Sequence, residues 1–198
     1  MMPVESQPEP IYFMERVRTP GQKFLREIPK PSSQQWRGKE YWQRALPDMR
    51  QAYNSICAYS AFWIPHSTGN HSIDHFVPKS EQPNLAYEWH NYRYVSARFN
   101  SRKGTHTIVD PFKLRPGWFI LDFNSFFIKP NPELISAQKD KLWETIKHLK
   151  LNDDEDLVIE RQSWYFNYLN KEISFEHLKK NAPFIALEAD RQNRVREV

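Results

Sequence analysis

Acid–base and metal-binding residue types are concentrated in the middle of the chain. Five of its seven histidines lie between residues 66 and 106, namely His66, His71, His75, His90 and His106. His75 directly follows Asp74, and an imidazole suits the deprotonation of water near neutral pH. Asp74 and Asn100 are hard oxygen donors of the kind that Mg²⁺ prefers. Together these residues favour metal-assisted hydrolysis of a phosphodiester, with His75 as the general base.

Basic residues follow Asn100 and suit the binding of phosphate. We expect Arg102 and Lys103 to contact the scissile or a flanking phosphate. Each candidate also has a purely structural interpretation. Asp74 would then cap a turn, Asn100 would cap a helix, and the two cations would form a solvated helix face.

The pattern of apolar and turn-forming residues places these candidates on a strand, a loop and a helix. Residues 73–76 predict a strand, which Pro78 ends because proline cannot donate to a strand ladder. Residues 84–94 are polar and aromatic and predict a loop. Residues 95–103 predict a short helix that stops at Gly104. A strand–loop–helix arrangement brings Asp74 and His75 beside Asn100, and His71 lies close enough in sequence to line the same cleft.

Three segments describe the organisation of the whole chain. Residues 1–35 are rich in proline and predict an extended N-terminal arm, with short pieces such as Tyr12–Arg18 docking on the core. Residues 36–125 form the core and begin with a helical pattern over 36–59, which Pro47 either interrupts or restarts. A second strand is predicted at 118–123, and residues 126–198 form a helical region with apolar side chains at helical spacing. The fold class is therefore α+β, with a small mixed core in a mainly helical domain.

Composition limits the environment and the partners of the protein. The mean hydropathy is −0.78, and no apolar run approaches the roughly 18 residues that span a bilayer. No signal-peptide pattern is found at the N-terminus, so we expect a cytoplasmic protein that does not bind membranes. The net charge of +4 is concentrated in residues 1–103, which suits an anionic partner. Glycine-rich phosphate-binding loops are absent, which gives no support to a nucleotide-binding fold.

The chain resembles the HNH (ββα-metal) endonucleases in three segments, Asp74-His75-Phe76-Val77-Pro78-Lys79, Trp89-His90-Asn91-Tyr92 and Phe99-Asn100-Ser101-Arg102-Lys103-Gly104. The resemblance is specific over residues 57–104 and extends most clearly to the HNH proteins of Septu-type and retron-associated bacterial anti-phage systems. It implies a ββα-metal core in which Asp74 and Asn100 hold Mg²⁺ or Mn²⁺. It further implies that Asn91 orients the catalytic His75 ring, that Lys103 takes part in catalysis, and that Lys79, Arg102 and Lys103 bind nucleic acid.

The chain departs from this family where four cysteines would hold a structural zinc ion. The matching positions carry Cys57, Ser60, Ser96 and Phe99. Because three of the four thiolates are absent, we expect no structural zinc, although such a site contributes on the order of 10 kcal/mol to folding. Phe99 and nearby aromatic residues are candidates for closing the unit instead. A single cysteine also excludes an intramolecular disulfide.

The resemblance implies a metal-dependent endonuclease that hydrolyses DNA phosphodiester bonds. It would be the effector nuclease of a bacterial anti-phage defence system and would work with an ATPase partner. Two alternatives stay open. The lost thiolates suit a catalytically inactive nucleic-acid-binding or partner-binding module with a degenerate HNH fold. An RNA-directed HNH nuclease is the other, because a metal site of this kind can act on either backbone.

Overall fold

The computed structural model describes residues 1–195, and the α+β fold class is confirmed within them. Its seven α-helices are α1 (Thr19–Glu27), α2 (Leu46–Ala52), α3 (Ala97–Lys103), α4 (Ser136–His148), α5 (Glu155–Leu169), α6 (Phe175–Asn181) and α7 (Pro183–Arg191). Its four strands are β1 (His71–His75), β2 (Tyr92–Ser96), β3 (Phe119–Leu121) and β4 (Ile128–Pro130). They form two antiparallel pairs, β1 with β2 and β3 with β4. None of the helices in the described part combines the length and the apolar character needed to cross a membrane.

The chain packs into two compact units. The first comprises residues 5–56 and 64–105, and the second comprises residues 1–4, 57–63 and the chain from 106 onward. These units do not follow the expected segments 1–35, 36–125 and 126–198, because residues 5–35 pack with the middle of the chain. The last three positions of the 126–198 segment lie outside the described residues. Every residue of the predicted catalytic, metal-binding and nucleic-acid-binding set belongs to the first unit.

A hairpin followed by a helix forms the centre of the first unit. β1 pairs with β2 so that Ile73 lies opposite Tyr94 and His75 opposite Tyr92. α3 follows β2 directly and packs against both strands. It ends at Gly104, whose φ of +49° lies in the region that favours glycine. The predicted strand and the predicted short helix are therefore both present. β2 begins at Tyr92, inside the stretch 84–94 that was expected to be a loop.

The N-terminal segment is helical from Met14 to Glu27, where an extended arm with a docked piece at residues 12–18 was expected. A π-helical turn, Met14–Arg18, runs directly into α1. Pro20 lies at the junction where the wider π-helical turn passes into α1. Phe13 and Val17 are buried, and the Phe13 ring meets the Trp89 ring edge-on at 5.6 Å. Burial of these side chains explains why this segment is part of the first unit.

The helical pattern predicted over residues 36–59 is only partly realised. A 3₁₀ helix, Tyr41–Ala45, leads into α2, and Pro47 lies in the first turn of α2 as one of the two predicted alternatives required. Trp42 and Met49 are buried in this region. Asn54 and Ser55 have φ values of 51° and 59°, so the chain leaves the right-handed helical conformation after α2.

The second unit contains the β3–β4 hairpin and α4 to α7. The four helices lie within the region from residue 126 onward that was predicted to be helical, and β3 lies within the strand predicted at 118–123. Ser174 caps α6, because its side chain accepts a hydrogen bond from the His177 amide. Glu188 on α7 is fully buried and accepts from the Leu121 amide at 3.0 Å, which ties α7 to β3. None of the predicted catalytic residues lies in this unit.

Candidate active site

A cavity of about 980 Å³ opens in the first unit along strand β1. It is lined by all five residues of β1 and also by Trp36, Trp42, Lys79 and Asn100. Asp74, His75 and Asn100 are therefore brought to one cavity, as the predicted strand–loop–helix arrangement requires. His71 lines it as well, as its position in the sequence predicted.

The alternation of side chains along β1 divides the predicted residues between two faces. Asp74 contacts Lys103 of α3, and Ser72 contacts Asn100 of α3, so this face is covered by α3. His75 points to the opposite face, where its ring meets the Trp42 and Tyr92 rings edge-on at 4.8 and 5.3 Å. The proposed base and the proposed metal ligands thus approach the cavity from different sides of the strand.

The His75 ring is held in a defined tautomer. Its Nε2 lies 2.9 Å from the Ala86 carbonyl oxygen, and because a carbonyl only accepts, Nε2 carries the hydrogen. Nδ1 is then the ring atom with a free lone pair. Burial of the ring lowers its pKa to about 4, and the positive charges of Lys79 and Lys103 add to this effect against the opposing hydrogen bond to Ala86. His75 is therefore a neutral imidazole at pH 7.

Asp74 is 2% exposed and forms an ion pair with a lysine that is fully buried. Lys103 Nζ lies 3.3 Å from the Asp74 carboxylate and donates to the His75 carbonyl oxygen at 3.1 Å. It also reaches the Gly104 carbonyl oxygen at 3.4 Å. The Lys103 ammonium group is enclosed and bonded to the backbone, and a role of Lys103 in catalysis or in phosphate binding stays a prediction. Lys103 supports the carboxylate and the end of β1.

The Asn100 amide has a fixed orientation. Its Nδ2 donates to the Ser72 hydroxyl at 2.7 Å and to the Ile73 carbonyl oxygen at 3.1 Å. Both amide hydrogens are thereby used, and the side chain lines the cavity with its oxygen as the remaining polar atom. Asn100 lies inside α3, whose N-cap is Ser96, so the helix-cap interpretation of Asn100 does not hold.

The Asn91 side chain bonds to the backbone of the loop between β1 and β2. Its Oδ1 accepts from the Val77 amide at 2.8 Å, and its Nδ2 donates to the Val77 and Leu85 carbonyl oxygens at 3.0 and 3.2 Å. The side chain is 3% exposed. The Ala86 carbonyl is the hydrogen-bond partner of His75 Nε2, and a role of Asn91 in orienting the His75 ring stays a prediction. Asn91 closes the loop between β1 and β2.

The two remaining basic candidates differ in position. Lys79 lines the cavity and is half-buried, with Nζ 5.7 Å from the Trp36 ring and 5.4 Å from the Trp42 ring. Arg102 packs its guanidinium 5.3 Å from the Phe99 ring and does not line the cavity. Lys79 is thus the cation of the predicted set that is placed to meet a phosphate inside the cavity.

The donor chemistry of the cavity fits a hard divalent cation. Asp74 supplies a carboxylate and Asn100 an amide oxygen, and Mg²⁺ typically keeps several waters beside one or two such ligands. Within residues 1–195, no group of three or more His, Cys, Asp and Glu side chains gathers to hold a metal ion. An oxygen-rich site completed by waters and phosphate oxygens remains compatible with that finding.

The four positions that would hold a structural zinc in the HNH family carry other contacts. Cys57 is a buried free thiol, and its sulfur accepts from the Ser60 amide at 3.5 Å. Phe99 is 3% exposed, in keeping with the expectation that apolar packing replaces a ligand there. That no structural zinc is bound stays a prediction.

Sequence reasoning missed three contributors to the cavity. Ser72 orients Asn100, Trp42 packs on His75, and the Ala86 carbonyl fixes the imidazole tautomer. The sequence could have indicated Ser72, because side chains two residues apart on a strand lie on the same face and Ser72 is two residues from Asp74. The Ala86 contact depends on the path of the loop and leaves no signal in the residue type.

Comparison with known proteins gives one relative of note. No family model matches the chain. A Septu protein PtuB from Bacillus thuringiensis is 31% identical over 107 residues, which amount to 52% of this chain. The matched region spans 40% of the length of that relative. Over about half of its length, therefore, the chain is similar to a Septu protein.

Proposed function

We propose that the protein is a metal-dependent endonuclease that hydrolyses DNA phosphodiester bonds. The observation that carries this proposal is the state of His75, a neutral imidazole whose Nε2 is tied to the Ala86 carbonyl in a cavity that also contains Asp74 and Asn100. A ring in this tautomer has Nδ1 available as a proton acceptor. The resemblance to HNH endonucleases and the similarity to a Septu protein support the same reaction class.

Each residue has a defined task in this proposal. His75 Nδ1 accepts a proton from the attacking water, and the Ala86 carbonyl keeps the ring oriented during the transfer. Lys79 offsets the charge of a phosphate in the cavity. Asp74 and Asn100 are the residues that would hold Mg²⁺ or Mn²⁺, which when bound stabilises negative charge on the phosphoryl oxygens and the leaving oxygen.

The biological setting is also part of the proposal. Similarity to a Septu protein supports a role in anti-phage defence, as the effector nuclease of a bacterial system. An ATPase that restrains or directs the nuclease is the partner that this setting suggests. Co-purification of the chain with the product of a neighbouring gene would support the partner, and a monomer that copurifies with nothing would argue against it.

Incubation with supercoiled plasmid and Mg²⁺ or Mn²⁺ tests the proposed activity. We expect wild-type protein to produce nicked or linear plasmid, and Asp74→Ala to lose that activity. An RNA of similar length serves as a second substrate. Cleavage of RNA alone would replace DNA by RNA in the proposal. Binding of either nucleic acid without cleavage, unchanged by Asp74→Ala, would show a non-catalytic binding module instead.

A further inference from the structure

The cavity contains one oriented polar group whose orientation depends on a residue with no assigned function. Asn100 is the proposed ligand, and the amide of an asparagine presents either its oxygen or its nitrogen depending on its neighbours. Only the oxygen can bind a cation. Something must therefore decide which end of the Asn100 amide faces the cavity.

The contacts between Asn100 and β1 determine which end of the amide faces the cavity. The Ser72 hydroxyl oxygen lies 2.7 Å from Asn100 Nδ2, and the Ile73 carbonyl oxygen lies 3.1 Å from the same atom. A carbonyl only accepts, so the nitrogen must face β1. The serine hydroxyl accepts the second amide hydrogen. With both hydrogens taken, the oxygen is left for the cavity.

The strand places Ser72 where this contact is possible. Ser72 and Asp74 are two residues apart on β1 and share the face that α3 covers. Asp74 meets Lys103 of α3, and Ser72 meets Asn100 one turn earlier on the same helix. The two proposed ligands are thus both held by contacts between β1 and α3.

We propose that Ser72 is a positioning residue that, together with the Ile73 carbonyl, holds the Asn100 amide in the orientation that presents its oxygen to a divalent cation. This inference rests on the proposed metal-dependent function of the cavity. Ser72 itself does not need to touch the substrate or the cation. Its effect passes through Asn100 alone, and this distinguishes it from a residue that merely stabilises the hairpin.

Binding of Mn²⁺ alone, measured by calorimetry on the whole protein without nucleic acid, is the first test. We expect Ser72→Ala to weaken binding about fivefold, because one neutral hydrogen bond that favours the correct orientation is lost. Ser72→Thr keeps the hydroxyl and should bind Mn²⁺ as wild type does. Thermal unfolding of each variant shows whether the fold is retained.

The background of Asn100→Asp separates orientation from general stability. A carboxylate has oxygen at both ends, so it needs no neighbour to choose between them. An alanine at position 100 has no amide to orient, so the comparison is made in Asn100→Ala as well, where adding Ser72→Ala should change the residual Mn²⁺ affinity less than twofold. A loss in the Asn100→Ala background equal to that in the wild type would overturn the proposal, because Ser72 would then act through the hairpin rather than through the amide.

The side-chain amide signals of Asn100 provide a readout that needs no metal. In ¹⁵N-labelled protein, both hydrogens of this NH₂ group should exchange slowly with solvent, and Ser72→Ala should speed the exchange of one of them. Unchanged exchange would contradict the proposal even if Mn²⁺ binding were lost. Should Asp74→Ala leave Mn²⁺ binding intact, the proposed metal site would fail, while the exchange measurement would still decide the role of Ser72.

Discussion

At the scale of single residues, the site depends on buried charge more than on exposed charge. Lys103 was expected at a phosphate, yet it is fully enclosed and paired with Asp74. Burying a charge costs free energy unless the charge is paired, so each member of the pair offsets part of the cost of burying the other. The exposed arginines and lysines of the surface contribute far less, because solvent screens them. Removing one member of the buried Lys103–Asp74 pair should therefore lower the free energy of unfolding more than removing an exposed charge.

Replacing Lys103 by methionine should destabilise the first unit strongly. The change leaves the Asp74 carboxylate buried without its ammonium partner, which typically costs about 3–5 kcal/mol. Urea unfolding monitored by tryptophan fluorescence measures the free energy of unfolding. The matched control is Lys30→Met, since Lys30 is exposed. Adding Asp74→Asn to Lys103→Met should recover part of the loss, and failure to do so would show that the ion pair is not the cause.

The pKa of His75 predicts how stability changes with pH. The unfolded chain takes up a proton near pH 6.5, whereas the folded ring resists it until about pH 4. The unfolded state therefore binds more protons in this window, and the free energy of unfolding falls as the pH falls from 6.5 to 4. Well below pH 6.5 the slope from this one group approaches about 1.4 kcal/mol per pH unit.

Unfolding by urea at several pH values, without divalent cations, measures that slope. His75→Gln removes the titrating ring, while every other titrating group remains in both proteins. We expect the wild type to lose more stability than the variant between pH 6.5 and pH 4. Parallel curves for the two proteins would contradict the assigned burial of a neutral His75.

At the scale of elements, the loop after β1 and the helix α1 are fixed by single side chains. Asn91 makes three hydrogen bonds that join both ends of the loop from Val77 to Leu85. This loop carries Lys79, which lines the cavity. α1 packs closely enough on the first unit that Gly21 has no room for a side chain. Both contacts connect local sequence to the shape of the site.

Replacing Asn91 by alanine should loosen the loop while leaving the helices intact. The change leaves the Val77 amide and the Val77 and Leu85 carbonyls without side-chain partners. A buried group left without a partner typically lowers the free energy of unfolding by about 1–3 kcal/mol. Hydrogen exchange of the Val77 amide should become much faster. The exposed neighbour Asn84 provides the control, and equal exchange in Asn91→Ala and Asn84→Ala would show that Asn91 does not hold the loop.

Adding a methyl group at Gly21 should displace α1 from the first unit. A Cβ built at Gly21 would lie 2.1–2.5 Å from three carbon atoms of the Tyr87 ring, and that ring is fully buried. We expect Gly21→Ala to lower the free energy of unfolding by about 1–3 kcal/mol, as overpacking does elsewhere. Gln22→Ala, on the exposed side of the same helix, should be neutral or slightly stabilising. A stabilised Gly21→Ala variant would mean that helix propensity outweighs the close contact.

At the scale of the whole molecule, the sequence predicted elements whose signals are local. Gly104 marks the end of α3 and Pro47 the first turn of α2, since each depends on the conformation of one residue. The fold class and the gathering of Asp74, His75 and Asn100 at one cavity followed from such elements.

What the sequence did not predict depends on contacts between distant segments. Residues 5–35 were expected to be extended outside a docked piece at 12–18 because proline is frequent there, yet α1 continues to Glu27 and buries Phe24. Lys103 and Arg102 are adjacent and alike in type, but a helix turns adjacent side chains by about 100°, so one is enclosed and the other is not. Burial of this kind is decided by packing rather than by residue type.

The role of His75 as general base is the central claim, and the rate of plasmid nicking in saturating Mg²⁺ or Mn²⁺ tests it most directly. The comparison is between wild type, His75→Ala and His90→Ala, since His90 is an exposed histidine of the same hairpin region. Loss of a general base typically slows a reaction by about 10²–10⁴-fold. We expect that loss for His75→Ala and an unchanged rate for His90→Ala. Nicking by folded His75→Ala at the wild-type rate would contradict the account.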